Sequence, residues 1–258
     1  MRSCPGSSLW LGGLPQTHEI RASILSSPTL SFLGLAMGTL VAGLFLGVVC
    51  SRLGGGDGPR GSLGRKTFHI AVFTGAVPVQ LWLGFWGVVV YGTVVASMVA
   101  LGLLRGERAS IYRALAREGD GEGQRRLVLV PLAMTALGGL LSVLLVGRFA
   151  IVGYLVCGWG DGAGELAGRV WGRRKYRSPL SRGQGSTRTL EGSLAVLAAG
   201  FLGGWAALDL LGAPPLSSLG VGLIAGAVGA LAEGLSGEGT DNLWVQLLPS
   251  LTAWWFLG

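Results

Sequence analysis

Residues 158–177, GWGDGAGELAGRVWGRRKYR, set a glycine at every fourth position (Gly160, Gly164, Gly168, Gly172) and follow each with a charged residue: Asp161, Glu165, Arg169 and Arg173. On a helix, residues four apart share nearly one face, so Asp161, Glu165 and Arg169 form a line and the glycines a neighbouring one. Two carboxylates a turn apart can hold Mg²⁺, the following arginines can meet phosphate oxygens, and the missing side chains let a ligand approach the backbone. A helix packed closely through small residues, with solvated charges beside them, produces the same pattern. Both readings stand at this point.

The residues that follow add weight to phosphate chemistry. Arg169, Arg173, Arg174, Lys175 and Arg177 come directly after the two carboxylates, which suits a metal and a polyphosphate better than a simple anchor. In RGQGSTRTLEGS, Arg188 and Thr189 precede Glu191, Gly192 and Ser193 at the start of an apolar span. Ser193 and the local N–H groups can receive phosphate. Glu191 either completes a metal site or is a first-turn residue favoured by the helix dipole. Two other stretches belong to the same side of the chain. GRKTFHI supplies Arg65, Lys66 and His69, and LAEGLSGEGTDNLW supplies Glu233, Glu238, Asp241 and Asn242. Glu233 is the sharper clue, because an acid in an apolar helix is functional or paired.

The elements that must position these residues are membrane helices. Of 258 residues, 50% are hydrophobic, 13% are charged and 47 are glycine, with a mean hydropathy of +0.58; ordinary soluble domains lie elsewhere. The apolar blocks approach the roughly 20 residues that carry a helix across the bilayer, and the alternation of a transmembrane barrel is missing. Spans are predicted at 30–50, two within 67–104 with a turn near 79–84, two within 127–159 with a break near Gly147 and Arg148, then 191–211, 216–235 and a short 243–257. The fold class is all-α: a polytopic integral membrane protein with seven or eight transmembrane helices. Residues 1–28 read as a poorly ordered leader, and 29–258 as the membrane domain.

The loops at 51–66, 105–126 and 160–189 are each net basic, while the opposite side carries little beyond Arg148. The positive-inside rule puts the charged loops, and the active site with them, on the cytoplasmic side, or on the stromal side in an organelle. The net charge of +7 therefore reads as topology, lipid headgroup and phosphate contacts; no aromatic and basic interleaving argues for nucleic acid. Cys4, Cys50 and Cys157 lack disulfide or zinc spacing.

In order, RKTFH at 65–69, GDGAGELAGRVWGRRK at 160–175, RTLEGS at 188–193 and EGLSGEGTDN at 233–242 resemble the phytol kinase and dolichol kinase family, polytopic enzymes that phosphorylate long isoprenoid alcohols, typically from CTP. The resemblance spans about 65–250 and makes 29–258 a kinase-like domain. It implies catalytic carboxylates at Asp161, Glu165, Glu191 and Asp241, with Asp161 and Glu165 as the metal pair for Mg²⁺. It implies nucleotide or phosphate contacts from Arg65, Lys66, His69, Gly160, Gly162, Gly168, Arg169, Gly172, Arg173, Lys175, Arg188, Gly192, Ser193 and Asn242. Glu233 is a substrate or structural residue. The base is open between Asp161, Glu191 and Asp241.

The implied partners are the isoprenoid alcohol (phytol, farnesol or a polyprenol), the nucleotide and the lipid bilayer, with a homodimer left open. Two departures stand out: Arg188 occupies a position where the family commonly has lysine, and DNLWVQLLP lacks the proline common two residues after DNL. The alternatives are a CTP-dependent cytidylyltransferase making a CDP-lipid, and a non-catalytic transporter or scaffold.

Overall fold

The computed structural model describes residues 29–53, 62–115, 124–180, 187–237 and 239–258. The leader at 1–28, half of the loop 51–66, parts of the segments 105–126 and 160–189, and Glu238 lie outside the described residues. The described chain is helical apart from one short ribbon.

Helix α1, Thr29–Leu53, packs against the two elements that follow it and turns Leu33, Met37, Val41 and Phe45 outward. Helix α2, Leu63–Arg105, is really two arms. Gly84 has φ 59° and ψ −150°, a backbone conformation that only glycine adopts readily. Tyr91 donates a hydrogen bond to the Val72 carbonyl at 2.7 Å although the two are 19 residues apart. A straight helix would separate them by about 28 Å, so the chain folds back at Gly84, at the end of the predicted turn.

A short turn at Gly106–Arg108 leads to α3, Ser110–Leu115, all that forms in the described part of the expected surface helix. Helix α4, Gln124–Val146, ends at a 3₁₀ turn, Gly147–Phe149, where Gly147 has φ 54°. Again a tyrosine ties the arms: Tyr154 donates to the Gly139 carbonyl at 3.3 Å. Helix α5, Ala150–Leu155, continues through a π-helical turn, Val156–Asp161, into α6, Gly162–Trp171.

The ribbon pairs β1, Lys175–Arg177, antiparallel with β2, Thr187–Thr189, with Tyr176 opposite Arg188. Helices α7, Leu190–Leu210, and α8, Pro215–Leu235, form a close antiparallel pair in which Gly200 meets Gly226 and Gly204 meets Gly222. Helix α9, Asp241–Leu257, closes the bundle against α4 and α8.

Among the described residues, five helical runs are long and apolar enough to cross a membrane: Leu30–Leu53, Leu63–Arg108, Val128–Trp171, Leu190–Leu210 and Pro215–Leu235. That is fewer than the seven or eight expected, because the two longest, of 46 and 44 residues, count once each although each doubles back.

The centre of the bundle is the α5–α6 helix. Residues 150–157 are buried all round by α2, α4, α7, α8 and α9, with Ile151, Val152 and Val156 fully enclosed. A helix apolar on every face belongs in such a place. Its far end carries Asp161 and Glu165, so the carboxylates are presented by a helix whose preceding turns are fully packed.

Candidate active site

The π turn is the first device of the site. Closing a wider backbone ring inserts an extra residue and re-aims everything after it. Asp161 is its last residue, and the side chains that follow turn toward the start of α2. There Lys66 places its Nζ 2.6 Å from Asp161 Oδ2 and 3.0 Å from Glu165 Oε2. Arg65 pairs with Glu165, Arg169 reaches the same carboxylate at 3.0 Å, and His69 Nε2 lies 3.3 Å from Asp161 Oδ2. Lys66 is only 6% exposed; an ammonium so placed is tolerated because two carboxylates face it.

A second ion cluster stands across the same cavity. Arg188, on β2, pairs with Glu233 near the end of α8, and its NH2 reaches Asp241 Oδ2 at 3.2 Å and the Ser236 carbonyl at 3.3 Å. One guanidinium therefore joins β2, α8 and α9. Asp241 also accepts the Asn242 N–H at 3.0 Å, and the Asn242 side-chain amide donates to Thr135 Oγ1 at 2.8 Å, which ties α9 to α4.

The cavity between the clusters has a volume of about 510 Å³ and is lined by Arg65, Lys66, His69, Asp161, Glu165, Arg169, Lys175, Arg188, Ser193, Glu233, Asp241 and Asn242 among others. Gly168 and Gly192 line it too. The spacing on the helix, the early basic motif and the last acidic motif thus converge on one space.

Other predicted site residues lie elsewhere. Glu191 is turned away from the cavity: its carboxylate accepts the backbone N–H groups of Arg173 at 3.1 Å and Arg174 at 3.3 Å. It holds the chain where α6 ends and the ribbon begins. Arg173 faces outward and does not line the cavity. Gly160 packs on Val196 of α7 and Gly162 on Ile70 of α2, while Gly172 ends α6, where a side chain would meet the Gly168 carbonyl. Nor does the helical stripe run the full stretch: α6 stops at Trp171 and the following basic residues are extended.

The glycines that reach the cavity also pack. A methyl on Gly164 would collide with Val196, and one on Gly168 would come within 2.9 Å of Thr189 Oγ1. Both readings of the opening stretch therefore meet in the same residues.

Neighbours of the predicted residues contribute as well. Thr189 caps α7 by accepting the Gly192 N–H at 3.1 Å, the usual work of a threonine at that place. Tyr176 and Ser193 share a hydrogen bond at 2.7 Å, so Ser193 is engaged by the ribbon as well as facing the cavity. Thr135 lines the cavity from α4; its signal is a hydroxyl in an apolar span, which it shares with Ser142.

The donor set bears on Mg²⁺. Among the described residues no group of three or more His, Cys, Asp or Glu side chains gathers around one point, so a resident, all-protein metal cage does not fit. Magnesium is commonly held by one or two carboxylates with substrate phosphates completing the shell. Asp161 and Glu165 fit that arrangement, for an ion that arrives with a nucleotide. The cation between them here is the Lys66 ammonium.

Against known proteins, one similarity emerges. The chain is similar to a phytol kinase of Synechocystis sp., 36% identical over 109 residues, which is 41% of this chain and 43% of that protein. The chain thus aligns with less than half the length of the curated relative it matches. No known family profile matches it, and no solved structure does.

Proposed function

We propose that the protein is a membrane lipid kinase that transfers a phosphoryl group from a nucleotide, CTP favoured, to the hydroxyl of a long isoprenoid alcohol such as phytol, farnesol or a polyprenol. One observation carries this reading: a single cavity joins a wall of cations and carboxylates to a wall without charge. The partial similarity to a phytol kinase points the same way.

In this reading Arg65, Lys66, Arg169 and Lys175 meet the nucleotide phosphates and offset the charge that builds up on them. Asp161 and Glu165 would hold a Mg²⁺ that comes with the nucleotide, and the ion would supply positive charge against the transferring phosphoryl group. With the carboxylates so engaged, the Lys66 ammonium that now pairs with them would be free to meet phosphate. Asp241 takes the proton of the attacking hydroxyl, because of the three candidates Asp161 is committed to metal and Glu191 to the backbone of Arg173 and Arg174, while Asp241 lines the cavity with Arg188 at 3.2 Å from its Oδ2. Asn242, oriented by Thr135, fixes the Asp241 turn.

The folded-back arms at Gly84 and Gly147 make eight passes with α9 as the last. The charged end faces the cytoplasm, or the stroma in an organelle, where the nucleotide is.

The test is incubation of purified protein with labelled CTP, Mg²⁺ and each alcohol. Lipid monophosphate and CDP are expected. CDP-lipid with pyrophosphate would mean nucleotidyl transfer, and no Mg²⁺-dependent product from any alcohol would overturn the kinase reading.

A further inference from the structure

Much of the cavity's uncharged wall comes from the second arm of α2 and from α4, neither of which carries a sequence motif. Val95 and Val99 lie one turn apart on the second arm of α2, and Val128 and Leu132 lie one turn apart on α4; all four line the cavity. They belong together: Val128 and Leu132 pack against the buried cluster that contains Val95 and Val99. On α4 the next residue around, Leu129, is 45% exposed on the outer surface of the bundle. One helix thus presents one flank to the cavity and the adjoining flank outward.

The depth is suitable. Val99 and Val95 precede the end of their arm at Arg105 by distances of roughly 9 and 15 Å at about 1.5 Å per residue, within the hydrocarbon half-thickness of about 15 Å. The volume is limited. At about 510 Å³ the cavity is in the range that encloses one drug-sized ligand, and its charged end is sized for phosphates. It has room for the part of a long chain next to a hydroxyl, and the rest must stay in the bilayer.

We propose that Val95, Val99, Val128 and Leu132 form the slot that takes the alkyl chain adjoining the reacting hydroxyl, with the remaining chain running out into lipid. This rests on the kinase reading for the identity of the hydroxyl compound, and it adds which residues grip it. The slot selects for an apolar, unbranched-to-methyl-branched chain near the hydroxyl and leaves total chain length unread.

Two measurements test it together. Leu132→Trp fills the slot from a half-buried position, and Leu129→Trp adds the same bulk one residue around on the outer flank. Leu132→Trp should raise KM for phytol about tenfold or more, the scale of misfit in an apolar pocket, with KM for the nucleotide unchanged; Leu129→Trp should change neither.

Independently of turnover, a long-chain alcohol with a diazirine beside its hydroxyl should cross-link to peptides containing residues 95–99 or 128–132. Excess phytol should compete, and Leu132→Trp should lose the cross-link. Phosphorylation with an unchanged alcohol KM in folded Leu132→Trp overturns the slot and leaves the kinase reading intact. Cross-linking confined to other helices overturns it as well. Cross-linking in the slot without phosphorylation of any alcohol supports the slot and overturns the kinase reading.

Discussion

Lys66 and Asp161 are separated by 95 residues of chain and by 2.6 Å in space. The contact joins the start of α2 to the central helix and leaves both charges nearly enclosed, with side-chain exposures of 8% and 16%. Removing one member of a buried pair costs more than the pair contributes, because the other charge is stranded. Asp161→Ala should therefore lower stability by about 3 kcal/mol, seen as a lower Tm in detergent. Asp161→Asn, which still offers Lys66 an acceptor, should keep most of the stability while losing at least about a hundredfold in turnover. Equal retention of turnover in Asp161→Asn would remove Asp161 from the chemistry.

Arg188 spans two carboxylates, Glu233 and Asp241, on two different helices. Its planar fork has no equivalent in lysine. Arg188→Met should destabilise the protein by about 3–5 kcal/mol, and adding Glu233→Gln should restore part of that loss through a coupling of about 0.5–3 kcal/mol. Chemical denaturation of the four proteins in the cycle measures it. Strict additivity would mean the guanidinium serves something other than this clamp.

Glu191 offers a contrast with Asp161 and Asp241. Its carboxylate accepts two backbone N–H groups at the α6–β1 junction, a task an amide oxygen can share. Glu191→Gln should keep turnover within a few-fold, where loss of a general base costs about 10²–10⁴-fold. Steady-state kinetics of Glu191→Gln beside Asp241→Asn separates the two roles; a collapse of Glu191→Gln to the level of Asp241→Asn would return Glu191 to the chemistry.

Gly164 packs against Val196 of α7, while Gly38 of α1 has no neighbour within 4 Å of where a methyl would stand. Gly164→Ala should cost about 1–3 kcal/mol by overpacking, and Val196→Ala in the same chain should recover part of it. Gly38→Ala should stay within about 0.5 kcal/mol of the parent. Nucleotide affinity should fall in Gly164→Ala only as far as the fold does; a selective loss of affinity at unchanged Tm would make Gly164 a ligand contact first.

Lys66 between the two carboxylates already balances their charge, so the kinase reading predicts a fold that does not depend on Mg²⁺. Chelation should abolish turnover and leave the Tm of the nucleotide-free protein unchanged. Mg²⁺ and CTP together should raise it, by about 2.7 kcal/mol of linkage at a hundredfold excess over Kd. A Tm that falls on chelation alone would indicate a resident ion.

The sequence made the helices legible because apolar run length is a strong signal, and it placed both reversals because a glycine marks each, Gly84 and Gly147. The charged motifs converged because order along the chain and a common end of the bundle were both readable. Partner choice was not legible. Arg188 looked like a phosphate ligand, yet it is held by Glu233 and Asp241, and nothing local distinguishes an arginine that meets a ligand from one that meets a distant acid. The π turn at Val156–Asp161 leaves no mark either, since its residues also suit an α-helix. Glu191 shows the same ambiguity at short range: a carboxylate that binds two N–H groups and one that binds a metal have identical sequence. The apolar wall was missed because Val95, Val99, Val128 and Leu132 are indistinguishable by type from residues that face lipid.

The chain is made in one direction, and the wide separation of Lys66 from Asp161 gives that direction a consequence. When α2 leaves the ribosome and enters the bilayer, its future counter-charges have not yet been synthesised. Lys66 sits three residues inside the helix that begins at Leu63, close enough to the end for its ammonium to reach back to water on its aliphatic stem. Deeper placement would have left it stranded through the synthesis of three more helical arms. The position that serves the finished site is thus also one that a half-made protein can tolerate.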